Sequence, residues 1–170
     1  LQTYPVLRAM GYSDNAVELM AGSTYAGRLQ TLLTVYNEHR PGKLHHSIVV
    51  ALLALNLHHR LTKSQAMGRD TVLLAALAHD IGELYIDPNY LTPGAKVGPK
   101  EWRHIAAHPI IAHGLLKDLP GLSGPAATLI LDHHERLDGF GYPQGKIAGK
   151  LSLNAQILGT AEMLGGILER

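Results

Sequence analysis

Apolar positions along the chain recur with the spacing of an α-helix, and no stretch shows the strict alternation of a half-buried strand. Residues 43–60 are apolar almost all round their middle, which predicts a helix at the centre of the core. Residues 66–81 form a second apolar stretch that stops at Gly82. The pattern predicts an all-α fold, a bundle of at least five helices. Further helices, bounded by glycine, proline or capping residues, are predicted at positions 13–21, 24–40, 99–117, 125–135 and 151–170.

Glycine and proline separate the predicted helices. Residues 87–98 and 137–150 are rich in both and are predicted to be loops. Pro109 interrupts the helical stretch in which it lies. We expect residues 1–42 to form a helical lead-in that packs on a main unit at 43–170. Because the chain starts without methionine, we also expect it to be a piece of a longer protein.

Composition and charge narrow the class of protein. Hydrophobic residues make up 46% of the 170 positions, which is enough for one domain with a substantial core. A net charge of +1 argues against a nucleic-acid polymer or an anionic membrane as partner. The longest charge-free apolar stretch, 48–57, is too short to cross a bilayer. The absence of cysteine excludes disulfides, thiolate zinc sites and iron–sulfur clusters, and we expect a cytoplasmic protein.

Histidine is the unusual residue, with 11 copies, and several stand where predicted helices begin or end. His79 and Asp80 follow the apolar run at 71–78, so both are predicted to be buried. Burying an imidazole beside a carboxylate is costly without a partner, and a divalent metal takes both groups as ligands. Helical bundles build metal sites from side chains on facing helices. Further candidate ligands stand on other segments, namely His46, His108, His133 and His134.

This set of residues predicts phosphoester chemistry. Adjacent residues on a helix diverge by about 100°, so His79 and Asp80 can serve different metals, or one of them can bridge two. Histidine and carboxylate without thiolate suit iron, manganese, zinc or similar ions, and the residue types do not choose among them. Enzymes that hydrolyse phosphoesters often hold two metals a few ångströms apart, which stabilise the attacking and leaving oxygens. The loop from Asp138 to Pro143 offers glycine backbone for close approach of a ligand and an aromatic pair for base stacking.

The remaining histidines have simpler interpretations. His58 and His59 are expected to cap a helix C-terminus and to complement its dipole. His45 competes with its neighbour His46 for the role of ligand. Surface or packing roles are expected for the isolated histidines, namely His39, His104 and His113.

Five short motifs occur in a fixed order: His79-Asp80-Ile81-Gly82, His108-Pro109, His133-His134-Glu135, Asp138-Gly139 and Gly141-Tyr142-Pro143. Together they resemble the motifs of the HD-GYP family, a branch of the HD-domain metal-dependent phosphohydrolases. The resemblance covers roughly residues 43–165. It implies an all-α bundle that holds two or three metals, often iron or manganese, and that hydrolyses the bacterial second messenger cyclic di-GMP. Its register also favours His46 over His45.

The resemblance implies a role for each matching residue. His46 looks like the first metal ligand, and Asp80 looks like the bridge between two metals, with His79 and Asp80 as the catalytic pair. Glu162 follows Ala161, where the family has an aspartate as its final ligand. The implied ligands of the second metal are His108, His133 and His134. The implied substrate contacts are Glu83, Asp138, Gly141, Tyr142 and Pro143.

Two positions depart from the family pattern. Glu83 stands where the family has a lysine that holds a substrate phosphate, and an anion there is expected to weaken binding by about 10²-fold. A salt bridge or an exposed position is the alternative role for Glu83. Gly42 stands where three-metal members have a glutamate, so we expect two divalent metals. Iron or manganese is favoured, with zinc, nickel and magnesium as alternatives.

Two functional hypotheses follow from these residues. The first is a phosphodiesterase that cleaves a cyclic dinucleotide, cyclic di-GMP, to the linear dinucleotide through a hydroxide that bridges the metals. Its other expected partners are sensory or signalling domains, with no nucleic-acid polymer and no membrane. The second is a catalytically degenerate HD-type signalling or interaction module, which binds metal or nucleotide without turnover. Glu83 favours the second hypothesis, and the complete ligand set favours the first.

Overall fold

A computed structural model describes residues 27–62, 68–92, 94–120, 122 and 124–169. The helix predicted at 13–21 lies outside the described residues, as does most of the lead-in predicted at 1–42. Within these ranges, three short 3₁₀ helices occur, at Ile81–Tyr85, Pro88–Tyr90 and Ala148–Lys150. Within the described ranges the α-helices are α1 Gly27–His39, α2 Lys43–Leu61, α3 Arg69–Ala78, α4 Pro99–Ile105, α5 His108–Leu116, α6 Gly124–Asp132 and α7 Leu153–Leu168.

Helix α2 lies at the centre of the molecule, where it packs against both α3 and α7. Its middle is buried from Val49 to Leu55, because those seven successive positions are apolar and face neighbours on every side. Each large side chain buried in this way stabilises the fold by roughly 1.5–3 kcal/mol. Helices α5 and α6 pack on each other, and α6 also contacts α3. The all-α prediction is confirmed, and so is the central place of α2.

The prediction of one helix over 99–117 is wrong, because the chain forms two helices there. Ala106 and Ala107 separate α4 from α5, and Pro109 occupies the first turn of α5. Proline is tolerated in a first turn, where its missing N–H has no helical partner, but it disfavours helical backbone in the residue before it. A helix that ran through this point would lack one backbone hydrogen bond.

The apolar stretch predicted to be helical to residue 81 leaves the α-helix earlier. Helix α3 ends at Ala78, a turn holds His79 and Asp80, and the 3₁₀ helix Ile81–Tyr85 follows. Gly82 lies against the backbone carbonyl of His108, and a Cβ at this position would overlap that oxygen. This close approach brings the turn after α3 against the first turn of α5.

The segment after α6 is irregular, as predicted for residues 137–150. Helix α6 stops at Asp132, so the histidine pair that was predicted to end the helix stands in the turn beyond it. A single antiparallel bridge joins Asp138 to Ile147, and no strand occurs in the part of the chain that the structure describes. None of the described helices has the length and apolarity that a membrane crossing requires.

Candidate metal centre

The predicted ligands converge from the ends of several helices. His46 lies in the first turn of α2, His79 and Asp80 follow α3, and His108 opens α5. His133 and His134 follow the end of α6, and Glu162 projects from the middle of α7. Helix ends supply most of these residues, because the termini of α3, α5 and α6 meet at one point beside α2 and α7.

The structure brings the seven predicted ligands into two groups that share one residue. Within each group, one possible ligand atom from every residue lies within 4.8 Å of the others. Asp80 belongs to both groups and has two carboxylate oxygens to divide between them. The first group comprises His46, His79, Asp80 and Glu162, and the second comprises Asp80, His108, His133 and His134. As metal ligands these residues stay predictions.

Backbone carbonyls set the tautomers of three histidines. Nδ1 of His79 lies 2.8 Å from the carbonyl oxygen of Ala76, three residues earlier. The same contact recurs between His108 and Ile105 at 2.8 Å and between His133 and Ile130 at 2.6 Å. Because a carbonyl only accepts, each Nδ1 carries the proton and donates it, and each neutral ring keeps its lone pair on Nε2. Metal-ligating histidines are commonly oriented in this way.

The inward-facing atoms fit a divalent metal. Nε2 of His108 lies 3.2 Å from Nε2 of His133, and two lone pairs at this distance repel each other unless a cation or a proton lies between them. Nε2 of His79 is buried without a hydrogen bond, although Glu162 Oε2 is 2.9 Å away. A buried ring nitrogen without a hydrogen bond is costly, and a metal ion would satisfy it.

The carboxylates of the centre are held in their charged form. Burial alone would raise the pKa of Asp80. When the rings are protonated and no metal is bound, the charge of His79 and hydrogen bonds from His108 and His133 hold this pKa well below the usual range. Burial also opposes the charged form of Glu162, and His79 and His46 lower its pKa nevertheless. The centre therefore presents ionised oxygens beside imidazoles.

His134 differs from the other histidines of the centre. Burial, with the nearby charges of His133 and His108, lowers its pKa to about 2. Its ring is therefore neutral at physiological pH, as a metal ligand must be. Tyr142 stacks on this ring with a centroid distance of 4.6 Å and an interplanar angle of 23°.

Glu83 does not face the solvent. It is 5% exposed, and its carboxylate accepts hydrogen bonds from Lys43 Nζ at 2.9 Å and from the Tyr36 hydroxyl at 3.3 Å. The salt bridge considered as the alternative role for this residue is therefore present. Lys43, which the sequence analysis missed, also lies 3.7 Å from Asp80 Oδ2. Its only sequence signal is a position three residues before His46 on the same helix, which places both on one side of α2.

A cavity of about 910 Å³ opens beside the two ligand groups. His133, His134 and Glu162 form part of its wall, so the candidate metal positions border it directly. Aromatic rings and glycine backbone form another part of the wall, with Trp102 and Tyr142 at a ring distance of 5.6 Å. Its volume and mixed lining are typical of a small-molecule site.

The predicted substrate residues of the loop take different places. Gly141 and Tyr142 line the cavity, and Gly141 packs so closely on the backbone of Glu135 that a Cβ would overlap it. Asp138 also borders the cavity, with its carboxylate held by Arg136 at 3.1 Å. Pro143 is not among the lining residues; it follows Tyr142 through a cis peptide bond.

Three further residues hold this loop and were missed from the sequence. The Glu135 carboxylate accepts hydrogen bonds from the backbone N–H of Gln144 at 2.6 Å and of Lys146 at 2.8 Å. Lys146 Nζ binds both oxygens of the buried Asp132, at 2.6 and 2.7 Å. The motif His133-His134-Glu135 was the available signal for Glu135, but nothing local marks the Lys146 partnership with Asp132.

Comparison with known proteins agrees with this architecture. The chain is 37% identical over 89 residues to the 3′3′-cGAMP-specific phosphodiesterase 3 of Vibrio cholerae, a match that covers 52% of this chain and 19% of that protein. It is 32% identical over 112 residues to the cyclic di-GMP phosphodiesterase PA4108 of Pseudomonas aeruginosa, which covers 66% of this chain and 27% of that protein. The chain thus spans about a fifth to a quarter of the length of these curated relatives.

The solved structures show the same fold. Bd1817, described as an HDG"Y"P protein from Bdellovibrio bacteriovorus, superposes with a TM-score of 0.66 at 22% identity. The superposition covers 95% of this chain and 53% of that one. The family model described as an HD domain matches residues 29–167, which include all seven candidate ligands. The chain therefore belongs to the HD domain family.

Proposed function

We propose that this domain is a metal-dependent phosphodiesterase that hydrolyses a cyclic dinucleotide, cyclic di-GMP, to the linear dinucleotide. The observation that carries the proposal is the pair of ligand groups that share Asp80 and border one cavity. When bound, a pair of divalent metals lowers the pKa of water and neutralises charge that develops on phosphorus oxygens. The names of the two curated relatives, both phosphodiesterases of cyclic dinucleotides, support the substrate class.

Each group of the centre has a proposed role. Asp80 would be a ligand in both groups, and His79 would be a ligand in the first, so that this pair would form the catalytic core of the centre. The other proposed ligands contribute neutral nitrogens from the imidazoles and one carboxylate from Glu162. Iron or manganese is the proposed metal, as the resemblance to the HD-GYP family implies, and nitrogen and oxygen ligands without thiolate fit these ions among others. The proposed ligands in addition to the Asp80–His79 pair are His46, His108, His133, His134 and Glu162.

The cavity is the proposed substrate site. Tyr142 and Trp102 present aromatic rings to it, and stacking of a base on such a ring contributes about 1–3 kcal/mol. Gly141 lines the cavity and is a proposed contact of the nucleotide. Asp138 and Pro143 belong to the same loop and support the position of Tyr142. We also propose sensory or signalling domains as partners, and a cytoplasmic location. The support for both is the class of the proposed substrate, which is a second messenger.

A catalytically degenerate module is the second candidate function. Glu83 favours it, because this carboxylate stands where the family has a phosphate-binding lysine. The contact between Glu83 and Lys43 weakens that argument, since the negative charge is neutralised within the fold. The two candidates differ in turnover, since the degenerate module binds metal or nucleotide without cleaving it.

Metal analysis and a hydrolysis assay test the proposal together. We expect anaerobically purified protein to carry two divalent metals per chain and, with manganese or iron, to convert cyclic di-GMP to the linear dinucleotide. Cyclic GMP–AMP and cyclic di-AMP serve as competing substrates. The substitution Asp80→Asn is expected to reduce metal affinity by more than about 100-fold, because changes to groups that merely support ligands already cost 10–100-fold.

The exposed Asp118 provides the matched control for that substitution. Its side chain is 88% exposed, so Asp118→Asn makes the same chemical change away from the centre and is expected to leave both readouts unchanged. Bound metal without hydrolysis of any cyclic dinucleotide would favour the degenerate module. Protein that takes up no metal under any of these conditions would contradict the phosphodiesterase and the metal-binding form of the degenerate module.

A further inference from the structure

Lys43 places a positive charge at the edge of the candidate metal centre. It opens α2, and its ammonium lies 2.9 Å from Glu83 Oε1 and 3.7 Å from Asp80 Oδ2. Asp80 is the residue shared by the two ligand groups, so the ammonium is next to the middle of the centre. The Lys43 side chain is 35% exposed, which leaves it accessible to a ligand from solvent.

Glu83 is fixed in place by contacts from α1 and α2. Its carboxylate binds Tyr36 and Lys43, and the Arg40 guanidinium donates to its backbone carbonyl at 2.7 Å. Gly82 holds the same 3₁₀ helix against the carbonyl of His108. Because the Glu83 carboxylate is 5% exposed and held on two sides, it is an anchor for the ammonium of Lys43.

Lys43 keeps its charge in this setting and has hydrogen-bonding capacity left. Its ammonium lies beside the carboxylates of Glu83 and Asp80, and nearby anions favour the charged form of a lysine. An ammonium has three N–H donors. Within the part of the chain that the structure describes, Glu83 is its one acceptor within 3.5 Å, since Asp80 Oδ2 lies beyond that distance.

We propose that Lys43 is the phosphate-binding cation of this centre and that Glu83 is the positioning residue that aims it. In the family pattern, a lysine stands at the position of Glu83. In this chain that position holds an anion, and the cation is Lys43, which reaches the same place from the start of α2. The inference rests on the proposed function for the identity of the phosphate, which is the phosphodiester of the cyclic dinucleotide. The opposing interpretation is that Lys43 only neutralises the buried Glu83.

Two variants separate these interpretations without leaving a buried carboxylate uncompensated. Glu83→Gln keeps Lys43 and removes the anion, and Lys43→Met/Glu83→Gln removes both charges. Lys117 is an exposed lysine that directly follows α5, and Lys117→Met is the matched control for loss of a lysine. Metal content is measured for every variant, and inorganic phosphate is then titrated calorimetrically into each manganese-loaded protein.

We expect Glu83→Gln to bind phosphate more weakly than the wild-type protein, because Lys43 keeps its charge but loses the carboxylate that aims it. Binding by Glu83→Gln as tight as that of the wild type would contradict the positioning role of Glu83. The double variant is expected to bind it more weakly than Glu83→Gln by on the order of tenfold or more, as for loss of a hydrogen bond to a charged group. Lys117→Met is expected to match the wild type. In the hydrolysis assay, the double variant is expected to raise the KM for cyclic di-GMP relative to Glu83→Gln.

Equal phosphate affinity of Glu83→Gln and the double variant would overturn the inference and leave Lys43 as a neutraliser of Glu83. Loss of metal from the double variant alone, or no phosphate binding by the loaded wild type, would overturn it as well. The phosphate titration needs no turnover. A Lys43-dependent affinity in a protein that does not hydrolyse cyclic di-GMP would therefore support Lys43 and contradict the proposed function.

Discussion

At the scale of single residues, His46 is held differently from the other histidines of its group. Its Nε2 lies 2.9 Å from Glu162 Oε2, and its Nδ1 lies 2.6 Å from Glu169 Oε2. His79, by comparison, uses a backbone carbonyl three residues earlier as its outer partner. A carboxylate on the outer nitrogen orients the ring and increases its basicity, so we expect Glu169 to influence the first candidate metal position through His46.

The substitution Glu169→Gln tests this contact. We expect metal affinity to fall by about 10–100-fold, the usual cost of losing an outer partner of a histidine ligand. The measurement is competition with a metal-binding dye. Glu38→Gln makes the same change at an exposed position of α1 and is expected to leave affinity unchanged. Equal affinity in the two variants would contradict the role of Glu169.

Protonation of the ligands makes metal uptake depend on pH. Burial disfavours the charged forms of His46, His79 and His108, but contacts with carboxylates outweigh burial and raise all three pKa values. In the metal-free protein, protonation of these rings therefore contributes stability below the ordinary histidine pKa, and this contribution is lost as pH rises through the raised values. A metal requires the neutral rings.

We therefore expect the increase in Tm caused by metal to grow as pH rises from about 6 to about 8, through the range where histidine titrates. Differential scanning calorimetry of metal-free and manganese-loaded protein at several pH values measures this difference. A metal-induced increase in Tm that becomes smaller toward higher pH would contradict competition between protons and metal for the histidine rings.

At the scale of elements, the approach of the Ile81–Tyr85 3₁₀ helix to α5 sets the geometry between Asp80 and His108. Asp80 Oδ1 lies 3.3 Å from His108 Nε2, and Gly82 permits this approach because it has no side chain. The contact involves backbone on both sides, so neither element can relieve an overlap by rotating a side chain. The second metal position therefore depends on a glycine that is not itself a ligand.

The substitution Gly82→Ala is expected to destabilise the protein by about 1–3 kcal/mol, the usual cost of forcing extra volume into a packed contact. It is also expected to weaken metal binding, because α5 and His108 must move. Gly114→Ala is the matched control within α5, since a Cβ there meets nothing within 4 Å. Denaturant unfolding and metal titration give the two readouts, and similar values for both variants would exclude the proposed coupling.

At the scale of the whole molecule, a metal bound at the candidate centre would join several elements of the fold. The candidate ligands come from α2, α5 and α7 and from the turns after α3 and α6. Binding to the folded state alone stabilises it by about 2.7 kcal/mol when free metal is 100-fold above Kd. We expect a chelator to lower Tm by an amount that depends on the metal concentration used for loading.

The Asp80→Asn variant is the control for metal removal. Because it lacks the shared carboxylate, its Tm is expected to be nearly insensitive to both metal and chelator. Thermal unfolding followed by circular dichroism measures this. A chelator effect of equal size in the variant and the wild type would show that the stabilising metal binds elsewhere.

Local patterns in the sequence determined the helical class, the central place of α2 and the set of candidate ligands. Each of these depends on residues close together in the chain: apolar spacing, a buried His79-Asp80 pair, and short motifs at helix ends. In the sequence, the break before Pro109 was visible only as an interruption of the helical pattern at that proline. Its outcome as two helices depends on packing of the first turn of α5 against Gly82, which lies outside the local pattern.

Only the tertiary structure decided how the ligand atoms are divided into two groups and which residues support them. Lys43 meets Glu83 across 40 residues, and Glu169 meets His46 across 123 residues. Neither partnership leaves a trace in hydrophobic spacing or in a motif, because the chain brings these side chains together only after α2, α7 and the 3₁₀ helix have packed. The sequence alone therefore showed a negative charge at position 83, and the fold showed the lysine that compensates it.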